Sequence, residues 1–262
     1  MLMRSGHARE TREQEMTTLN FDVIVPKFDA ILARGLSEGL GQRDGQMCVE
    51  AALCAALGLP HGDDPGCVTA SIRAFKIRLN DSSGWSSPAS RAQHLRDLGI
   101  AQLGSKDVVD SRTFAKRLAQ AVIQHVLPRV CREVYPGQYE EEIATCEREG
   151  TEMAARALVE AFDTRKVETL MRKVVTRAVE TTLWAIAEAP ITAEIAVTEM
   201  AAVKAVDVIR LAAEAATKIG KHPDPEAYLR LAAILALDIL RDLKSPGATW
   251  VLGGDQTQLA QH

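Results

Sequence analysis

Apolar residues recur along almost the whole of this chain at the spacing of an α-helix, and this period restricts the possible folds more than any other feature. The segments between the apolar runs carry the prolines, glycines and short polar residues that cap and stop helices. Aromatic residues make up only 4% of the chain, whereas β-sheets recruit aromatic and β-branched side chains. The sequence therefore predicts an all-α protein.

The prolines of the first half suggest where several short helices begin or break. Pro26 suits the first turn of a helix that ends near Leu40. Ser87 and Pro88 have the pattern of an N-cap followed by a first helical residue. Pro128 should break or kink a longer helix, because proline lacks the backbone donor that the helix interior needs.

A helical hairpin is predicted between these helices, with a helix at 46–57, a loop at 58–66 and a third helix after it. Because the loop is short, the third helix must turn back antiparallel to its predecessor. Its period predicts a buried face and a face that shows basic residues to solvent. The buried residues are Val68, Ile72, Phe75 and Leu79, and the exposed ones are Arg73, Lys76 and Arg78.

From residue 137 onward the predicted helices are longer and partly rich in alanine. They run from Gln138 to Phe162, from Thr164 to Glu188, from Ile191 to Ile219 and from Pro223 to Lys244, and Ser245-Pro246-Gly247 ends the last one. Taken together, the patterns predict a disordered start at 1–20, a compact thiol-bearing domain at 21–136, a long-helix bundle at 137–252 and a disordered tail at 253–262.

Charge and cysteine usage limit the partners and the compartment. With 31 basic and 35 acidic residues the formal charge is −4, which argues against a nucleic-acid or polybasic membrane surface. No stretch runs uncharged for the roughly 20 residues that a membrane helix needs. An odd count of five cysteines suits free thiols better than a disulfide framework. We therefore expect a cytoplasmic protein without a membrane partner.

Cys48 is the candidate nucleophile, because it stands near the start of a predicted helix, where unpaired amides favour a thiolate. The string Gly45-Gln46-Met47-Cys48 with the alanine-rich helix after it resembles the nucleophile helix of transglutaminase-like and papain-like cysteine hydrolases. The other catalytic candidates are His94 or His125 as base and Asn80 or Asp81 as orienting group, the latter two being returned to Cys48 by the antiparallel third helix. The alternative is a buried cysteine that acts as a small apolar residue.

The loop after the second helix offers a candidate metal site. His61, Asp63 and Cys67, with Asp64 beside them, have side chains that bind divalent ions, and imidazole and thiolate suit zinc. No second Cys or His cluster stands at ligand spacing, so the alternative is a structural loop in which Asp63 or Asp64 caps the third helix and Pro65 occupies its first turn. We therefore expect no cofactor, with zinc or another divalent metal as the alternative.

Four strings resemble segments that occur in the same order in a widespread group of uncharacterised helical proteins from bacteria and phage. They are GQMCVEAALCAALGLPHGDDPGCV, FKIRLND, IAQLGS near residue 100 and LKSPGATWV near the end. The resemblance covers about residues 36–105 and 223–251. It implies a shared fold, and it implies no activity and no site residue.

The sequence as a whole favours a binding or assembly module that contacts a protein partner or a second copy through the long helices, with alanine-rich faces supplying the contact. A cysteine-dependent hydrolase or transferase and a small metal-binding regulator are the alternatives. The enzyme needs Cys48 partly exposed with a histidine nitrogen within about 4 Å. The metal site needs His61 and Cys67 to converge. The binding module needs the thiols of Cys48 and Cys67 to be buried and a broad apolar patch to lie on the long helices.

Overall fold

The computed structural model describes residues 19–163, 168–220 and 224–259, and this part of the chain is α-helical with connecting loops and no strand. The all-α prediction is therefore confirmed. The helices are α1 Phe21–Leu32, α2 Val49–Ala56, α3 Ala70–Asn80, α4 Pro88–Ala101, α5 Ser111–Ala121, α6 Leu127–Val134, α7 Glu140–Glu149, α8 Glu152–Asp163, α9 Thr169–Ile186, α10 Ile191–Ile219, α11 Pro225–Asp242 and α12 Pro246–Leu259. A π-helical turn, Val122–Val126, joins α5 to α6.

The predicted start of α4 is confirmed in detail. The Ser87 hydroxyl accepts a hydrogen bond from the Ser90 amide at 3.0 Å, and Pro88 occupies the first turn. Pro128 likewise lies in the first turn of α6, directly after the π-helical turn. The chain thus changes its helical register ahead of the proline, where an ordinary α-helical donor would be missing.

The predicted position of Pro26 is wrong, because α1 begins at Phe21 and carries Pro26 in its interior. Burial of one face, which includes Phe28 and Leu32, maintains the helix despite the lost donor. The second helix also begins later than predicted. Residues 42–46 form a turn, and Met47 makes isolated bridge contacts with Leu36 and Gly41, so that α2 starts only at Val49.

In the long-helix half, α9 and α11 each end two residues earlier than predicted, and the largest difference lies at residue 150. The predicted helix 138–162 is two helices, since Gly150 takes a left-handed backbone with φ of 61° between α7 and α8. The bounds predicted for the alanine-rich helix, by contrast, agree with α10 residue for residue.

One contiguous apolar core runs from Ile24 to Val251, so packing crosses the predicted domain boundary near residue 136. Helix α10 lies at its centre and packs against α9, α3, α11 and α5. The alanine-rich face of α10 is buried there, which corrects the expectation that it would supply an external contact. Its buried alanines are Ala201, Ala202, Ala205, Ala212, Ala213, Ala215 and Ala216.

The ends of the chain bear on two further predictions. Ser245-Pro246-Gly247 not only follows α11 but also begins α12, which continues to Leu259 through most of the tail predicted to be disordered. The half-buried Trp250 of α12 stacks on Phe21 with ring centroids 6.0 Å apart. The predicted disordered start at 1–20 lies outside the described residues up to position 18, as do 260–262 at the other end.

Candidate functional sites

Cys48 caps the start of α2. Its sulfur accepts a hydrogen bond from the Ala51 amide at 3.4 Å, and the residue is buried. The side-chain oxygen of Asn80, at the end of α3, accepts from the Val49 amide at 3.3 Å. Asp81 follows it and accepts from both the Asn80 amide group and a loop amide. The prediction that α3 returns residues 80 and 81 to the start of α2 is confirmed, and the contacts there are structural hydrogen bonds.

The two candidate histidines make their contacts elsewhere. The His94 ring stacks on Trp85, with centroids 6.3 Å apart, and its Nε2 lies 3.6 Å from a Glu226 carboxylate oxygen. His125 is exposed in the π-helical turn. Among the described residues, neither histidine makes a hydrogen bond with Cys48. A base adjacent to the thiol, which nucleophilic catalysis requires, is therefore not formed by either of them.

The electrostatic surroundings of Cys48 also oppose a thiolate. Burial raises the pKa of the thiol, and the negative charges of Glu50 and Asp81 raise it further. The backbone amides of Ala51 and Glu50 act in the opposite direction without reversing the shift. A protonated thiol is a weak nucleophile, so Cys48 has the properties of a small buried apolar residue.

Thiol alkylation should therefore discriminate among the cysteines of the native protein. We expect the half-buried Cys67 to react first, whereas Cys48 and the other buried thiols react only after unfolding. Burial raises the pKa of Cys54 to about 11 and that of Cys146 to about 12, which removes their thiolates near neutral pH. Mass spectrometry of timed alkylation checks the order, with Cys48→Ser as control. Fast native alkylation of Cys48 below pH 7 would restore the enzyme hypothesis.

The residues of the candidate metal site are exposed or half-buried in the loop, and one of them makes other contacts. Asp63 is exposed, and Asp64 accepts from the Gly66 amide at 2.9 Å and pairs with Arg73 at 2.7 Å. Cys67 and His61 are half-buried, and the described residues contain no group of three or more Cys, His, Asp or Glu side chains arranged to hold an ion. The zinc hypothesis gains no support from this geometry.

The residue that precedes α3 also differs from the predicted helix cap. Thr69, rather than Asp63 or Asp64, is the residue before α3. Its hydroxyl donates to the Ser105 and Val109 carbonyls at 2.8 and 3.1 Å, and its amide donates to the Ser105 hydroxyl at 3.0 Å. Thr69 therefore fixes the start of α3 to the loop after α4.

A buried polar cluster of Glu50, Lys76 and Gln102 lies among α2, α3 and α4. All three side chains have no exposed surface. The Lys76 ammonium lies 3.2 Å from one Glu50 oxygen, and the Gln102 amide donates to the other oxygen at 2.9 Å. The prediction that Lys76 faces solvent is wrong. It stands four residues after Ile72 and three before Leu79, which is the spacing of the buried face, so the periodic signal was present in the sequence.

In the Glu50–Lys76–Gln102 cluster, burial disfavours the charged forms of Glu50 and Lys76, and the attraction between these two side chains opposes this effect. Burial raises the pKa of the Glu50 carboxyl, against the opposing effects of Lys76 and Gln102. Burial likewise lowers the pKa of the Lys76 ammonium, against the attraction of Glu50. The Gln102 side-chain oxygen has no hydrogen-bond partner among the described residues, and the contact of the Lys76 nitrogen is its ion pair with Glu50. The cluster is thus an incompletely satisfied buried network whose parts depend on one another.

The strings that carry the sequence resemblance meet at this cluster. Glu50 belongs to the first string, Lys76 to FKIRLND and Gln102 to IAQLGS. The fourth string joins through its Ser245 hydroxyl, which donates to the Ala101 carbonyl at 2.5 Å, and through its Gly247 amide, which donates to the Leu103 carbonyl at 3.1 Å. These bonds satisfy carbonyls at the end of α4 that have no partner within the helix.

Five large apolar side chains near the end of the α9–α10 hairpin are exposed, and they are here termed the hairpin-end patch. Its members are Leu183, Trp184 and Ile186 on α9 and Ile195 and Met200 on α10, each between 40% and 59% exposed. The Lys204 ammonium lies 5.7 Å from the centre of the Trp184 ring, one helical turn beyond Met200, which joins the two arms of the patch. Arg112 of α5 donates to the Ala187 carbonyl and to Glu194, so the hairpin end is anchored.

Comparisons of the chain with protein-family models, with curated proteins and with solved structures give no match. The resemblance to the bacterial and phage group therefore stays a prediction. Within the described ranges, each helix is too short or too polar to cross a membrane.

Proposed function

We propose that the chain is a binding or assembly module, and that its contact surface is the hairpin-end patch. The observation that carries the proposal is the grouping of five large apolar side chains, among them a tryptophan, on one anchored hairpin. Contiguous exposed apolar surface marks interaction sites in proteins, whereas scattered single apolar residues do not. Tryptophan in such a setting is also the residue that most often dominates binding energy.

A second copy of the chain is the occupant that we favour over a different protein partner. Charges of both signs accompany the hairpin-end patch on α10: Glu194 and Glu199, each paired with an arginine, stand next to patch members in the sequence, and Lys204 lies over the Trp184 ring. A two-fold contact brings the same surface of each copy together, and a surface bordered by one sign of charge would repel itself. Mixed charges are compatible with such a self-contact. The five free thiols fit the reducing cytoplasm in which we place the assembly.

The cysteine-hydrolase and metal-regulator hypotheses have weaker support. The first lacks a histidine at Cys48 among the described residues, and the second lacks a group of three or more Cys, His, Asp or Glu side chains arranged to hold an ion in that part of the chain. Neither has an observation in its favour comparable to the hairpin-end patch.

The self-association of the chain should depend on Trp184. We expect Trp184→Ser to weaken it by at least about 2 kcal/mol, which is a change of roughly thirtyfold in the dissociation constant. Sedimentation velocity of the full chain over a range of concentrations measures this effect. Because Trp184 is only 40% exposed in the single chain, its loss should also lower the free energy of unfolding, so circular dichroism is used to show that the variant is folded.

Ile234→Ser provides the matched control, since Ile234 on α11 is 54% exposed but lies outside the hairpin-end patch. The control should associate like the natural sequence. If the natural chain is monomeric at all concentrations, or if both variants associate equally, self-assembly through this surface is excluded.

A further inference from the structure

A surface cleft of about 580 Å³ lies between α10 and the residues that follow α3, and it is separate from the Cys48 and His61 regions. Its basic side chains come from three helices: Arg78 from α3, Arg177 from α9, and Lys204 and Arg210 from α10. Its volume falls in the range of small-molecule sites. Convergence of four cations from separate elements is the feature that suggests an anionic ligand.

The charge of the cleft is not balanced by its own carboxylates. The lining contains two, Asp207 and Glu214, so four cations less two anions leave a formal charge of +2. Asp207 forms ion pairs with Arg78 at 2.5 Å and, more weakly, with Arg210 at 3.8 Å. Arg177 is paired at 2.5 Å with Glu180, which lies outside the lining, and Glu214 is paired with Lys218. Lys204 has an aromatic rather than an acidic neighbour in Trp184. Arg210 and Lys204 thus retain donors for an external anion.

Part of the cleft lining is apolar. Leu211, Pro225 and Leu229 contribute to its lining, and Leu229 is almost fully buried. Gly84 completes this side, because a side-chain carbon placed there would approach Leu229 to 3.1 Å. A ligand that fills the whole cleft therefore needs a charged end and an apolar body.

We propose that this cleft binds a small molecule in which a phosphate group is attached to an apolar or aromatic body. A phosphate monoester carries about −1.5 to −2 charge at pH 7, which matches the excess charge of the lining. Arginine presents a planar set of donors that fits phosphate oxygens. The apolar lining adds affinity for the organic part, and the cleft adjoins the hairpin-end patch at Lys204.

Calorimetric titration of the full chain with phenyl phosphate tests the site. We expect saturable binding that is tighter than that of inorganic phosphate and is not given by phenol. Arg210→Gln should weaken it about tenfold, the effect of one charge-assisted hydrogen bond. Arg156→Gln is the control, since Arg156 is an exposed arginine of α8 outside the cleft, and it should leave the affinity unchanged.

We expect Asp207→Asn to change the affinity for phenyl phosphate in the direction opposite to Arg210→Gln. Removing this carboxylate releases Arg78 and increases the positive charge, so phenyl phosphate should bind several-fold more tightly. A merely structural role for Asp207 would not produce tighter binding. The site is disproved if phenyl phosphate fails to bind, if Arg210→Gln and Arg156→Gln bind it equally, or if Asp207→Asn weakens it. Because Lys204 lines the cleft and also contacts Trp184 of the hairpin-end patch, the titrations use a chain concentration at which sedimentation velocity shows a single species, so that the two proposals fail separately.

Discussion

Replacing Lys76 by methionine should destabilise the protein by about 3–5 kcal/mol, although methionine nearly preserves the shape of the side chain. The variant leaves the Glu50 carboxyl fully buried without its cation, and Gln102 supplies the one remaining hydrogen bond. Breaking a buried pair on one side costs much more than the pair contributes, because an uncompensated charge stays in the interior. Denaturant unfolding followed by circular dichroism measures the loss.

The pH dependence of the Lys76→Met variant identifies the cause of the loss. A carboxyl whose folded pKa is raised contributes stability that is present below its unfolded pKa and is lost as pH rises through the folded value. In the natural chain the pH dependence that Lys76 contributes to stability has the opposite sign. Its pKa is lowered in the folded state, so the stability that it contributes is lost as pH falls. The deficit of the variant should therefore shrink as pH is lowered from 8 to 5.

Two further variants serve as controls for Lys76→Met. Adding Glu50→Gln removes the stranded charge, so the double variant should recover most of the lost stability at pH 8. Arg73→Met changes the same helix at a partly exposed salt bridge and should cost less than about 1 kcal/mol. A Lys76→Met loss that is independent of pH and is not rescued by Glu50→Gln would show a packing defect instead.

Replacing Gly247 by alanine should destabilise the protein by about 1–3 kcal/mol. The added carbon would lie 1.9 Å from the Ile100 carbonyl oxygen and 2.9 Å from its carbon, so backbone rather than a flexible side chain must move. Helix α12 would shift away from α4, which lengthens the bond from the Gly247 amide to the Leu103 carbonyl. Denaturant unfolding measures the loss, and a change in Trp250 fluorescence reports the displaced helix.

Gly45→Ala is the matched control for Gly247→Ala. Its added carbon would meet no atom nearer than 3.6 Å, which is ordinary contact, so its effect should stay within about 0.5 kcal/mol. Equal unfolding free energies for the two alanine variants would mean that α12 approaches α4 less closely than the structure indicates.

The sequence predicted the helices better than their contacts. Helical period and caps located α10 and the start of α4, because both signals are local to the helix that carries them. Pro26 was misplaced because the burial of Phe28 and its neighbours, a tertiary effect, outweighs the local preference of proline. The break at Gly150 required knowledge of its left-handed backbone.

The candidate sites were predicted less well, for a related reason. Antiparallel return of α3 to Cys48 followed from helix and loop lengths and is confirmed. The basic residues of α3 predict a solvent-exposed face that includes Lys76, whereas its position on the face of Ile72 and Leu79 indicates the burial that the structure shows. Its partners Glu50 and Gln102 lie on other helices, so the pairing depends on tertiary packing that no local pattern contains.

The hairpin-end patch is tested most directly by cross-linking an equal mixture of isotopically heavy and light chains. An amine-reactive cross-linker should join Lys204 of a heavy chain to Lys204 of a light chain, because a two-fold contact of hairpin ends brings these side chains together. The Trp184→Ser variant should lose this heavy-to-light product. Heavy-to-light products confined to other lysines, or cross-links formed only within single chains, would contradict assembly through the hairpin-end patch.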